Sequence, residues 1–118
     1  MKIAIGIPAR LASTRFPNKL LAPLKGQPVL ARTIAQAQKA ALGPVVVATA
    51  DEPIADLARA HGAEVAYTRA DHPNGTSRLA EAFAARDEEI IVNVQGDEPL
   101  IAPEALHAVV EPLKRDAA

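Results

Sequence analysis

Arg10, Arg15 and Lys19 lie in one short stretch, Pro8-Ala9-Arg10-Leu11-Ala12-Ser13-Thr14-Arg15-Phe16-Pro17-Asn18-Lys19. Arg offers a planar fork and Lys a point charge, so the three cations together suit a polyphosphate. A solvated basic loop is the plainer alternative, since Lys and Arg are common on surfaces. A second stretch, Val92-Asn93-Val94-Gln95-Gly96-Asp97-Glu98-Pro99, puts a carboxylate just past an apolar run. Asp97 could hold Mg2+, a hard cation that takes one or two carboxylates together with phosphate oxygens. Gly96 lets the backbone come close to a ligand, and Glu98 is either an outer-sphere ligand or solvent-facing. The alternative here is a turn, because Gly, Asp and Pro are all turn formers. A third stretch, Gly75-Thr76-Ser77-Arg78, opens a helix whose free N–H groups, hydroxyls and Arg78 could receive an anion or a base edge. Its alternative is a plain N-cap by Thr76 or Ser77, with Glu81 bonding nearby.

These residues need elements to position them. Residues 2–7 form a nearly continuous apolar run, as expected of a strand buried on both faces. A connection of about twenty residues, 8–27, follows it; a loop that long is usually functional. Pro28 fits the first position of a helix, Val29, Ile34 and Ala37 give that helix an apolar stripe, and Gly43 reads as its stop. Val45-Val46-Val47-Ala48 is a second strand. Asp51 can cap the next helix, whose buried face is Ile54, Leu57 and Ala58 and which ends at His61-Gly62. Ala63 to Tyr67 is a short third strand, Thr68 to Asn74 a polar loop, and a third helix runs from about Gly75 to about Arg86. Ile90 to Val94 is a fourth strand, and Pro103 opens a last helix to about Lys114. Strands alternating with helices predict an α/β fold, Rossmann-like, with a mostly parallel sheet and right-handed crossovers. Open sheets of this kind bind ligands outside the carboxyl ends of their strands, where both the first loop and Asp97 must fall.

Composition narrows the chemistry. The chain has 118 residues, 49% apolar, which is enough for one domain with a real core. Aromatics are only 3%, so that core is aliphatic. A net charge of −1 gives no bulk attraction to nucleic acid or membrane. The absence of cysteine removes disulfides, thiolate metal sites and a cysteine nucleophile. With neither a signal-peptide core nor a run approaching the ~20 apolar residues of a membrane span, a cytoplasmic protein is expected. The P-loop and the G-x-G-x-x-G fingerprint are both missing, and so is G-x-S-x-G. His61, His72 and His107 have no metal-ligand spacing and read as structural or surface residues.

Taken together the motifs resemble the 3-deoxy-manno-octulosonate cytidylyltransferases, the CMP-Kdo synthetases. Ile7-Pro8-Ala9-Arg10, Ser13-Thr14-Arg15, Pro17, Lys19, Leu21 and Gly26-Gln27-Pro28 resemble the family's opening. Val47-Ala48-Thr49, Thr68-Arg69-Ala70-Asp71-His72, Gly75-Thr76, Arg78-Leu79-Ala80-Glu81 and the run from Val92 to Pro99 follow in the same order. The resemblance implies a nucleotide-diphospho-sugar transferase type of fold. It also implies a reaction in which CTP and Kdo give CMP-Kdo and pyrophosphate with Mg2+, for lipopolysaccharide synthesis. By matching position, Arg10, Arg15 and Lys19 would grip the triphosphate, Asp97 would hold Mg2+ and Gln95 would help place the sugar. Arg78 and the loop before it would lie near the cytosine, with Ala9, Gly75 and Thr76 among the substrate-binding positions. The chain departs from the family at Ala50 and Ser77, where carboxylates are usual, and at Asn74, where Ser is usual. Family members are roughly twice as long, so the resemblance implies the nucleotide-binding half. A second metal carboxylate, most Kdo contacts and a homodimer interface would belong to the rest. The 118-residue chain alone is expected to lack turnover and to self-associate through an uncovered sheet edge. A cytidylyltransferase for another acidic sugar (sialic acid or amino-Kdo) or a truncated non-catalytic chain are the alternatives.

Overall fold

The computed structural model describes residues 2–11 and 19–117, with side chains to residue 114. Its elements run β1 (Ile3–Pro8), a 3-10 turn (Lys19–Leu21), β2 (Pro23–Leu24), β3 (Gln27–Pro28), α1 (Val29–Ala40), β4 (Val45–Thr49), α2 (Glu52–Ala60), β5 (Glu64–Tyr67), α3 (Gly75–Phe83), β6 (Ile90–Asn93) and α4 (Pro103–Ala117). Four strands form one parallel sheet in the order β5-β4-β1-β6. β1 and β4 are buried at every position, which is why they read as unbroken apolar runs. β5 and β6 are the edges and alternate with exposed residues such as Tyr67 and Ile91.

Alternation along the central strands builds two unequal cores. Ile3, Ile5, Ile7, Val45 and Val47 point to one face, where Leu30 and Ile34 of α1, Ile54 and Ala58 of α2, and Leu106 and Val110 of α4 cover them. Ala4, Val46 and Ala48 point to the other, where Leu79 and Phe83 of α3 lie on them. The chain steps from β1 to β4 to β5 in one direction, then returns past β1 to β6. A right-handed crossover in the return direction must use the opposite face, so α3 lies apart from α1 and α2. The carboxyl ends of β1 and β6 therefore open a crevice at the point where the direction reverses. Among the described residues, no helix is long and apolar enough to cross a membrane.

Three local features differ from the sequence expectation. The connection 8–27 is not structureless: besides the 3-10 turn it holds the antiparallel pair β2 and β3. Their two-residue loop, Lys25-Gly26, has positive φ at both positions (53° and 85°), the geometry that a tight hairpin demands. Arg32 of α1 fixes it by donating to the Leu24 and Lys25 carbonyls at 2.6 and 2.8 Å. Pro28 ends β3 and occupies the N-cap position of α1 with extended ψ, one place before the first helical position expected of it. Gly43 is not the helix stop. Ala41 takes the left-handed closing conformation (φ 53°, ψ 37°), although a Cβ is disfavoured there. Gly43 is required for close approach instead, because a Cβ on it would lie 1.8 Å from the Ile3 carbonyl oxygen.

The two positions should respond oppositely to substitution. Gly43→Ala forces backbone apart and should cost about 2–3 kcal/mol of unfolding free energy. Ala41→Gly relieves a left-handed Cβ and should raise stability by about 1 kcal/mol. Urea denaturation of both variants checks this.

Candidate nucleotide site at the carboxyl ends of β1 and β6

A cavity of about 410 Å³ lies at the crevice. Pro8, Ala9 and Gln95 lie along it where the two strands end, and Arg10 and Leu11 leave β1 over it. Ala9 N–H still bonds the Ala48 carbonyl at 2.9 Å, which holds the strand straight to the point of departure. Leu11 N–H then donates to Asp51 Oδ2 at 2.9 Å, and Asp51 N–H donates to the buried Thr49 hydroxyl at 3.0 Å. Asp51 occupies the N-cap position of α2 as expected, yet its carboxylate caps no helix N–H. It anchors the first loop instead.

One side of the cavity belongs to the β6 turn and the 3-10 segment. Lys19 Nζ and Asp97 Oδ2 are 2.9 Å apart, with side chains 46% and 41% exposed. The turn carrying Asp97 is fastened from α1. The Thr33 hydroxyl, fully buried, donates to the Gly96 carbonyl at 2.8 Å, and Gln36 Nε2 donates to the Ile101 carbonyl at 2.8 Å. Glu98 closes the turn by accepting the Gln95 N–H at 3.1 Å. Its carboxylate therefore serves the local backbone.

The opposite side belongs to α3 and the loop before it. Asn74, rather than Thr76 or Ser77, is the N-cap, accepting the Ser77 N–H at 2.8 Å. Gly75 starts the helix hard against β1: a Cβ there would lie 2.8 Å from Pro8 Cγ. Arg78 is buried and points back along the loop, donating to the Thr68 hydroxyl at 2.6 Å and the Arg69 carbonyl at 2.9 Å. His72 lies beside it, with Nε2 2.6 Å from Glu81 Oε1. That hydrogen bond first, and then the Arg69 N–H, holds the Glu81 carboxyl below the usual carboxylate range. The remaining histidines are structural or peripheral: His107 Nε2 meets the last carbonyl of α1, at Ala40, at 2.6 Å, and His61 is exposed at the end of α2.

The structure thus gathers Ala9, Arg10, Lys19, Gly75, Arg78, Gln95 and Asp97 around one cavity. Thr76 follows Gly75 on α3 and is exposed. Arg15 lies outside the described residues. Sequence reasoning passed over Thr33 and gave Asp51 and His72 only structural parts. The polar Thr33 in the buried stripe of α1 was the available signal for the first.

Among the described residues no three His, Cys, Asp or Glu side chains converge as a ready-made metal cage. Asp97 at the rim offers a single hard oxygen donor group. That suits Mg2+, which typically uses one or two carboxylates and takes its other ligands from phosphate and water.

Residues 3–118 match the protein family described as cytidylyltransferase. The 3-deoxy-manno-octulosonate cytidylyltransferase of Syntrophotalea carbinolica is 52% identical over 100% of this chain and 48% of its own length. That of Geobacter metallireducens is 51% identical over 99% and 46%. The chain spans about half the length of the curated relatives it matches. Among solved structures, a CMP:2-keto-3-deoxy-manno-octonic acid synthetase complexed with CTP aligns with a TM-score of 0.94 at 35% identity, over 100% of this chain and 49% of that one. A nucleotidyl transferase from Methanothermobacter thermautotroptrophicus shares the fold, with a TM-score of 0.80 at 22% identity over 93% and 57%.

Asp51→Ala removes a charged acceptor from a part-buried amide and should cost about 1.5–3 kcal/mol. Hydrogen exchange at Leu11 should accelerate in step. Asp51→Asn keeps an acceptor oxygen and should lose less on both readouts.

Proposed function

The chain belongs to the cytidylyltransferase family, and from its site we propose that it binds CTP with Mg2+ and supplies the nucleotide side of CMP transfer to 3-deoxy-D-manno-octulosonate. The products are CMP-Kdo and pyrophosphate. The observation that carries this reading is the pairing of Lys19 with Asp97 at 2.9 Å on one side of the crevice, with Arg10, just past β1, lining the same cavity. Cations that can bind a triphosphate and a carboxylate that can bind its metal stand within one ligand's reach.

The chemistry is an in-line displacement: the anomeric hydroxyl attacks the α-phosphorus and the bond to pyrophosphate breaks. Little covalent work falls to the protein, so positioning and charge stabilisation carry the rate. Arg10 and Lys19 bind phosphate oxygens and offset charge that grows on the leaving pyrophosphate. Asp97 is the protein ligand for Mg2+, which when bound supplies further charge neutralisation on the phosphates. Gln95, which lines the cavity and is held by its own amide hydrogen bond to Asn93 Oδ1 at 3.2 Å, helps to place the sugar. The α3 side, with Gly75, Arg78 and the loop 68–74, takes the cytosine.

Calorimetric titration of CTP with and without Mg2+ tests the binding, and pyrophosphate release with Kdo tests the transfer. Arg10→Ala and Lys19→Ala should each weaken Mg-CTP binding about tenfold to a hundredfold, the loss of one charge-assisted contact. Asp97→Ala should abolish the gain in affinity that Mg2+ gives. CTP binding that is equally metal-dependent in Asp97→Ala would remove the metal assignment.

A further inference from the structure

His72 is a buried titratable side chain to which the phosphate and metal contacts give no task. Its side chain is 4% exposed, yet the residue lines the cavity. The ring is held between two residues of α3 about one turn apart: Nε2 lies 2.6 Å from Glu81 Oε1 and Nδ1 3.2 Å from Ser77 Oγ. His72 itself belongs to the preceding loop. Glu81 also accepts the Arg69 N–H at 3.2 Å and faces the Arg69 guanidinium at 3.6 Å, which Asp71 approaches at 3.7 Å. From the inner side, Arg78 donates to Thr68, Arg69 and Ala70. The loop is thus clipped to α3 on both of its sides, and His72 and Arg78 are the two clips that line the cavity.

We propose that His72 is a positioning residue for the nucleotide's base: by pinning loop 68–74 to α3 it fixes the cavity wall opposite Lys19 and Asp97. This rests on the CTP reading above. A wall set by His72 acts on the base and sugar end of the ligand. The phosphates meet Arg10, Lys19 and the metal ligand Asp97, whose supports come from α1 and the β6 turn. Loss of the clip should therefore separate the two ends of the ligand energetically.

The experiment titrates the wild type, His72→Ala, His72→Gln and Glu81→Ala with CTP and, separately, with inorganic tripolyphosphate, both with Mg2+. His72→Ala should weaken CTP about tenfold, as expected for losing one charge-assisted bond, and leave tripolyphosphate unchanged. Glu81→Ala breaks the same bond from the helix side together with the two Arg69 contacts and should weaken CTP at least as much; this variant carries the contrast if His72→Ala does not fold. The double variant should be no worse than Glu81→Ala alone, because that substitution already removes the His72 bond. His72→Gln keeps a donor toward Glu81 and should recover most of the CTP affinity. Wild-type-like CTP binding by both alanine variants would overturn the role of His72 alone. An equal loss for CTP and tripolyphosphate would overturn its assignment to the base end. A wild type that binds tripolyphosphate but not CTP would overturn the nucleotide reading, and the base-positioning role with it.

Discussion

Lys19 and Asp97 meet on one side of the crevice with nearly half of each side chain in solvent. A pair so exposed contributes about 0–1 kcal/mol to folding. Its importance is therefore one of placement. Two opposite charges that attract each other only weakly are easily turned toward a ligand that offers each a better partner. The rest of the structure can be understood as what brings them there: a parallel sheet whose chain direction reverses beside β1, so that the loops after β1 and β6 face each other.

The supports of the two sides differ in kind. The Asp97 turn is tied by neutral hydrogen bonds from α1, through Thr33 and Gln36, and is backed by the larger apolar core. The first loop is tied by a carboxylate, Asp51, that sits at the head of α2. The α3 side is tied through the charged groups of Arg78, Glu81 and Arg69, with the His72 ring hydrogen-bonded to Glu81. These supports fix the backbone from which the side chains of Arg10, Lys19 and Asp97 reach the cavity.

Much of this was legible in the residues. β1 and β4 announced themselves as continuous apolar runs because both of their faces are covered, and the β-α alternation then implied a shared sheet edge for the first loop and Asp97. What escaped was set by tertiary contact. The β2–β3 hairpin has only two residues per strand and depends on Arg32 reaching over from α1. Gly43 gave a correct signal with the wrong cause: glycine serves helix stops and close backbone approaches alike, and only the position of Ile3 distinguishes them. At the start of α3, three cap-competent residues lie close together, and the path of the incoming loop selects Asn74. His72 and Glu81 are nine residues apart across a loop–helix junction, a spacing with no periodic signature.

The unequal covering of the sheet has a mechanical meaning. Fully burying one large apolar side chain is worth ~1.5–3 kcal/mol, and α3 brings two of them, Leu79 and Phe83, to a bed that includes Ala4, Val46 and Ala48. Gly6 lies beneath the same two side chains, where a Cβ would come within 2.9 Å of Leu79 and 3.0 Å of Phe83, so α3 is seated closely on the sheet. A larger side chain in this bed would lift α3 and, with it, the loop 68–74 that α3 holds through Arg78 and Glu81. Substitutions beneath α3, remote from the cavity, therefore reach its wall through the seating of one helix.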